Sequence, residues 1–194
     1  NFKATNTGVA TGTYNFIYHP STATGTTAFN GNVFDNINTS TTGTVYLIYA
    51  SNSTVNSTAN NNSILGSFTK TGAGGTVYGY YNFGSPAGGT ITLNNNNYTG
   101  WNLTGATAFY GLYLATVTTE IEILTNNTVS NVTGGTSALI PIFHSYGAAG
   151  SIVSGNSVSN ITATTGTING IQVGNIAPLG VSIFGNTITN LTTA

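Results

Sequence analysis

Hydrophobic and polar positions recur along the chain in a fixed pattern, and its clearest copy is Gly185-Asn186-Thr187-Ile188-Thr189-Asn190-Leu191. Five related copies lie upstream. Their leading asparagines, with that of the last copy, are Asn32, Asn62, Asn96, Asn127, Asn156 and Asn186, separated by 30, 34, 31, 29 and 30 residues. A period near thirty is the signature of a solenoid, whose repeats each stack on their neighbours. The middle of the motif is Phe34, Ile64, Tyr98, Val129, Val158 or Ile188, flanked mostly by Ser, Thr or Asn. One inward side chain between outward ones is the period of two that predicts a β-strand. Three residues before each Asn stands Phe29, Ala59, Leu93, Leu124, Val153 or Ile183, and five after it Ile37, Ser67, Trp101, Val132, Ile161 or Leu191. The core face therefore continues around the bends.

A second landmark precedes each Asn by 17 to 19 residues: the hydrophobic runs 14–18, 45–49, 77–81, 109–113, 139–143 and 168–172. Their first and fourth positions are apolar throughout. The third is Gly in three copies and Pro141 in one, which predicts a bend or bulge between two inward residues. Two further columns contain only Asn or Gly. One is the residue before each leading Asn; the other, four after it, is Asn36, Gly66, Gly100, Asn131, Asn160 or Asn190. These residue types enter the left-handed αL region at least cost, so both columns predict tight backbone corners.

No stretch carries helical periodicity. The expected fold is all-β, a right-handed parallel β-helix (β-solenoid) of about six coils of ~30 residues with three short strands per coil; its hand comes from the crossover rule. Residues 1–13 read as a degraded lead-in or partial coil in which Phe2 takes an inward position, and 14–194 as the repeat array, a single domain. In this arrangement Asn32, Asn62, Asn96, Asn127, Asn156 and Asn186 form a structural ladder of stacked amides.

The hydrophobic runs also carry tyrosine in register: Tyr46, Tyr78 and Tyr110 at the second position, and Tyr18, Tyr49, Tyr81 and Tyr113, then Phe143, at the fifth. Two orientations remain open. Either both columns face outward as a stripe able to contact sugars or another fibre, or one turns inward at the bend and packs in the core.

Charge narrows the functions. Only 3 % of residues are charged, with Lys3 and Lys70 the basic ones and Asp35, Glu120 and Glu122 the acidic ones. That excludes a basic footprint for nucleic acid. Asp35 is about three coils from the two Glu, too far for a carboxylate pair, which argues against a polysaccharide-cleaving enzyme. His19 and His144 follow equivalent strands four coils apart and read as surface turn residues, not a shared metal site. Without cysteine there is no disulfide framework or thiolate site, no cofactor is expected, and no run is long enough to span a membrane. Lys70 opens one of the Gly/Ser/Thr-rich connections, 70–76, expected to protrude as turns. Acceptor patterns for N-glycosylation occur at Asn38, Asn52, Asn56, Asn97 and Asn102, among others, and composition alone explains most of them. Threonines beside the motif do not form the unbroken double column an ice-binding face requires. The chain lacks an initiator Met, and we expect a piece of a longer one.

The pattern Gly/Asn-Asn-x-Ile/Val-x-Asn-Ile/Leu-Thr, alternating with Val77-Tyr78-Gly79-Tyr80-Tyr81 and Phe109-Tyr110-Gly111-Leu112-Tyr113, resembles the β-strand repeats of very large secreted bacterial surface proteins. Similar arrays occur in giant adhesins and surface filaments. The resemblance covers residues 14–194 and implies an extracellular or cell-surface location and a stalk, fibre or filament as the assembly. Its partners would be further copies of the repeat, end to end or side by side. The alternative is a carbohydrate-binding adhesin module that holds glycans on an outward tyrosine stripe.

Overall fold

The computed structural model describes residues 1–5, 10–20, 25–50, 56–83, 88–115, 120–145, 147–174 and 180–193. The first coil holds β1 (Tyr14–Tyr18), β2 (Thr26–Ala28) and β3 (Val33–Thr39), and the second β4 (Val45–Tyr49), β5 (Asn56–Asn60) and β6 (Ser63–Lys70). The third holds β7 (Thr76–Asn82), β8 (Thr90–Asn94) and β9 (Asn97–Leu103), and the fourth β10 (Ala108–Leu114), β11 (Ile121–Thr125) and β12 (Thr128–Gly134). β13 (Leu139–His144), β14 (Ser151–Ser154) and β15 (Ser157–Ala163) follow, and then β16 (Ile171–Val173), β17 (Val181–Phe184) and β18 (Thr187–Thr193).

Every third strand pairs in parallel, giving three six-stranded sheets: β1-β4-β7-β10-β13-β16, β2-β5-β8-β11-β14-β17 and β3-β6-β9-β12-β15-β18. The chain is a parallel β-solenoid of about five turns with three strands per turn. Among the described residues there is no helix, and so none long and apolar enough to cross a membrane.

The columns explain the cross-section. In β4 the first, third and fourth residues are buried and the two tyrosines are not, and β7 and β10 repeat the pattern. The third residue is passed over in the pairing, as Tyr46↔Tyr78 and Ile48↔Tyr80 are consecutive partners. The same bulge therefore stacks from coil to coil and turns two nearby residues inward. Size is matched across the interior: a Cβ on Gly111 would lie 2.9 Å from Val129 Cγ1 and 2.6 Å from the Pro141 carbonyl oxygen. Only a residue without a side chain fits there.

In the third sheet the αL residue lies inside the strand. Val129↔Val158 and Val132↔Ile161 pair on either side of Asn131, so β12 kinks without leaving the sheet. β6 departs from the column expected around Ser67. It has eight residues where its neighbours have seven, and Ile37↔Phe68↔Trp101 form the register. Ser67 is an inserted residue, and Phe68 fills the core position in its place. Burying such a ring stabilises by about 1.5–3 kcal/mol, and Phe68, Trp101 and Phe109 pack with centroids 4.9 and 4.8 Å apart.

The lead-in extends this order. Phe2 bridges to Phe34 and stacks on its ring at 5.3 Å, while Thr5 bridges to Asn38. Lys3 reaches back to Asp35 at 2.9 Å, and this neighbour holds the buried Asp35 carboxyl below the ordinary carboxylate range. In the last coil the core columns face solvent, with Ile183 50 %, Ile188 45 % and Leu191 39 % exposed.

Candidate functional site

Three side-chain arrays run along the solenoid, each built from residues that recur at fixed positions of the repeat. The first is the asparagine column between the second and third sheets. The residue before each Asn has positive φ: Gly31, Asn61, Asn95, Asn126, Gly155 and Gly185. This turn points the following Asn into the corner, where Asn62, Asn96, Asn127 and Asn156 are at most 2 % exposed. The Nδ2 of each donates to the Oδ1 of the next: Asn32 to Asn62 at 2.9 Å, Asn62 to Asn96 at 2.9 Å and Asn96 to Asn127 at 2.8 Å. Asn127 to Asn156 at 3.0 Å and Asn156 to Asn186 at 2.9 Å complete it. The same Oδ1 also accepts the backbone N–H of the preceding Asn, as Asn127 does from Asn96 at 3.1 Å. The second Nδ2 hydrogen goes to a carbonyl of the coil before, Ala59, Leu93, Leu124 or Val153. Buried amides demand such satisfaction.

The second array is the αL position of the third sheet, and its six residues Asn36, Gly66, Gly100, Asn131, Asn160 and Asn190 all have positive φ. Asn131, Asn160 and Asn190 are exposed, and Asn160 donates to Asn131 at 3.0 Å and Asn190 to Asn160 at 2.9 Å. Gly66 and Gly100 interrupt the side-chain line. A further column was not singled out from the sequence: Asn30 Oδ1 accepts the Asn60 N–H, and Asn60 Oδ1 the Asn94 N–H. Its signal was an Asn two residues before the ladder Asn in three successive copies.

The third array is aromatic. Both tyrosine columns face outward on the first sheet, half-buried by one another. Along the second-position column Tyr46 stacks on Tyr78 at 4.9 Å and 4°, and Tyr78 on Tyr110 at 5.3 Å and 9°. Along the other, Tyr49 stacks on Tyr81 at 5.1 Å, Tyr81 on Tyr113 at 5.2 Å, and Tyr113 on Phe143 at 4.8 Å. Between columns the rings meet edge to face, as Tyr78 and Tyr81 do at 71°. Both geometries are favoured by the ring quadrupole. The faces of the inner rings Tyr78 and Tyr81 are thus taken by neighbouring rings, while the six tyrosines stay partly exposed. Burial, aided by the neighbouring phenols, pushes Tyr81 up to about 12 and Tyr78 higher still. Tyr46, Tyr110 and Tyr113 move in the same direction for the same first reason.

The ionisable residues are not where the sequence suggested. His144 is fully buried, not a surface turn residue, and its Nε2 lies 2.7 Å from Glu122 Oε2, also fully buried. It is the last residue of β13, in register with Leu114 and Asn82, a position that turns inward at the corner. Lys70 likewise does not protrude. It is buried at the end of β6, donates to the Gly72 carbonyl, to that of Gly74 at 2.6 Å and to Thr107 Oγ1 at 3.3 Å, and burial lowers its pKa. Asp35 lies in the first coil and Glu120 and Glu122 in the fourth, so the carboxylates stay apart. Among the described residues no three His, Asp or Glu side chains converge as metal ligands would. The acceptor pattern at Asn52 lies outside the described residues.

Compared with protein-family models, curated proteins and solved structures, the chain gives no match.

Proposed function

We propose that this chain is a structural element of a β-solenoid stalk, fibre or filament at the cell surface or secreted from it. The carrying observation is the asparagine ladder, which links successive coils from Asn32 to Asn186 by hydrogen bonds between neighbouring amides. Such a line spends its polar groups on holding coils together, since each buried amide bonds to the coils before and after it. The near absence of charge supports the same reading, since a surface of Thr, Ser, Asn and Gly is little affected by salt or pH. Its partners in this reading are further copies of the same repeat.

Carbohydrate binding on the tyrosine face has weaker support. A sugar ring stacks on a free aromatic face, and the inner rings Tyr78 and Tyr81 have parallel neighbours on both sides.

Electron microscopy of the protein in its native source is the test. We expect long thin filaments labelled by an antibody to this chain, with an axial repeat of about 4.8 Å. Labelling confined to short discrete particles, or to the cell interior, would overturn the structural reading.

A further inference from the structure

Two columns of phenols stacked at 4.9 to 5.3 Å over successive coils place each oxidisable ring beside another. The rings lie on the outer surface and stay partly exposed. By contrast Tyr80 and Tyr98 are wholly buried, and Tyr18 is tilted by 40° against Tyr49. We propose that this face is a site of oxidative cross-linking between coils, joining Tyr46 to Tyr78 and Tyr49 to Tyr81. The oxidant is a haem peroxidase with hydrogen peroxide or an equivalent one-electron acceptor.

The chemistry balances without any other reactant. Each of two stacked phenols loses one electron to the oxidant and one proton to solvent. The two phenoxyl radicals couple through the ring carbons ortho to oxygen, forming one carbon–carbon bond. The hydrogen on each coupled carbon then moves to the phenolic oxygen and restores the aromatic ring. Hydrogen peroxide takes up the two electrons and two protons and leaves as water, so each link removes two hydrogen atoms from the protein. Phe143 ends one column and has no hydroxyl, so the reaction stops at Tyr113.

The sequence supplies a sharp assay. Lys3 and Lys70 are the only tryptic sites, and Lys70 separates Tyr46 and Tyr49 from Tyr78 and Tyr81. The folded protein is oxidised when dilute, then unfolded, digested with trypsin and run on a denaturing gel. We expect the two large fragments to remain joined, with the joined mass short of their sum by two hydrogens per link. The Y78F/Y81F variant keeps its stacking, as Phe143 does against Tyr113, and should release the fragments. Fragments that separate after oxidation, whether or not tyrosine has been consumed, would overturn the proposal. So would linkage that persists in Y78F/Y81F, that arises only between two chains, or that forms equally well when the protein is oxidised in urea.

Discussion

Each coil has two αL positions occupied by Asn or Gly, and they hold the fold together in different ways. Between the second and third sheets the αL residue is only a hinge, and the stabilising group is the next residue, an Asn buried in the corner with its amide fully bonded. In the third sheet the αL residue itself is the asset, and its side chain points to water. The ladder column that follows the hinge contains Asn at all six places, whereas the αL column of the third sheet accepts Gly66 and Gly100. An amide that must satisfy three neighbours has no substitute; a backbone that must reach positive φ has two.

This contrast is open to measurement. The largest effect should come from Asn127→Ala. It leaves the buried N–H and one Nδ2 hydrogen of Asn96 without their acceptor and costs about 3 kcal/mol or more, read as a lower urea midpoint. A loss below about 1 kcal/mol would mean that water replaces the amide and that the ladder is not what binds the coils. Next comes Asn160→Val, which forces a β-branched residue to φ near 56° and should cost about 1–2 kcal/mol, against less than about 1 kcal/mol for Asn160→Gly. Equal losses for Val and Gly would show that the exposed Asn160–Asn131 hydrogen bond matters more than backbone conformation.

The smallest effect is one that neither corner contributes to, since no corner residue titrates. Tyr81 keeps its proton up to about 12 when folded, against about 10 when unfolded. Between those values the unfolded chain binds fewer protons, so stability is intact below pH about 10 and falls as pH rises toward about 12. Urea titrations across that window should show the decline, and Y81F should reduce it.

Much of the coil was legible in the sequence because its causes are local. Alternation marks the strands, and a fixed period makes each copy report on the same place in space. Phe34, Tyr98, Val129 and Val158 share a column and are all fully buried. The irregular coil was harder: Ser67 occupies the expected column, and only pairing with Ile37 and Trp101 shows that the chain gains a residue and offers Phe68 instead. The burial of His144 and Lys70 is not legible because an ionisable residue beside a Gly-rich stretch looks like a turn. Their burial depends on partners, Glu122 from the next sheet and the carbonyls of Gly72 and Gly74, that composition does not reveal.

By itself the sequence determined that this is a three-stranded coil repeated along an axis, where its backbone must bend, and which residues lie in one column. Those follow from period, polarity and the short list of residues that tolerate αL. Tertiary structure alone decided which way the tyrosines turn and what their faces meet. Ring orientation is set by contacts between coils some thirty residues apart, and it is these contacts that close the aromatic faces to solvent and leave the phenols side by side.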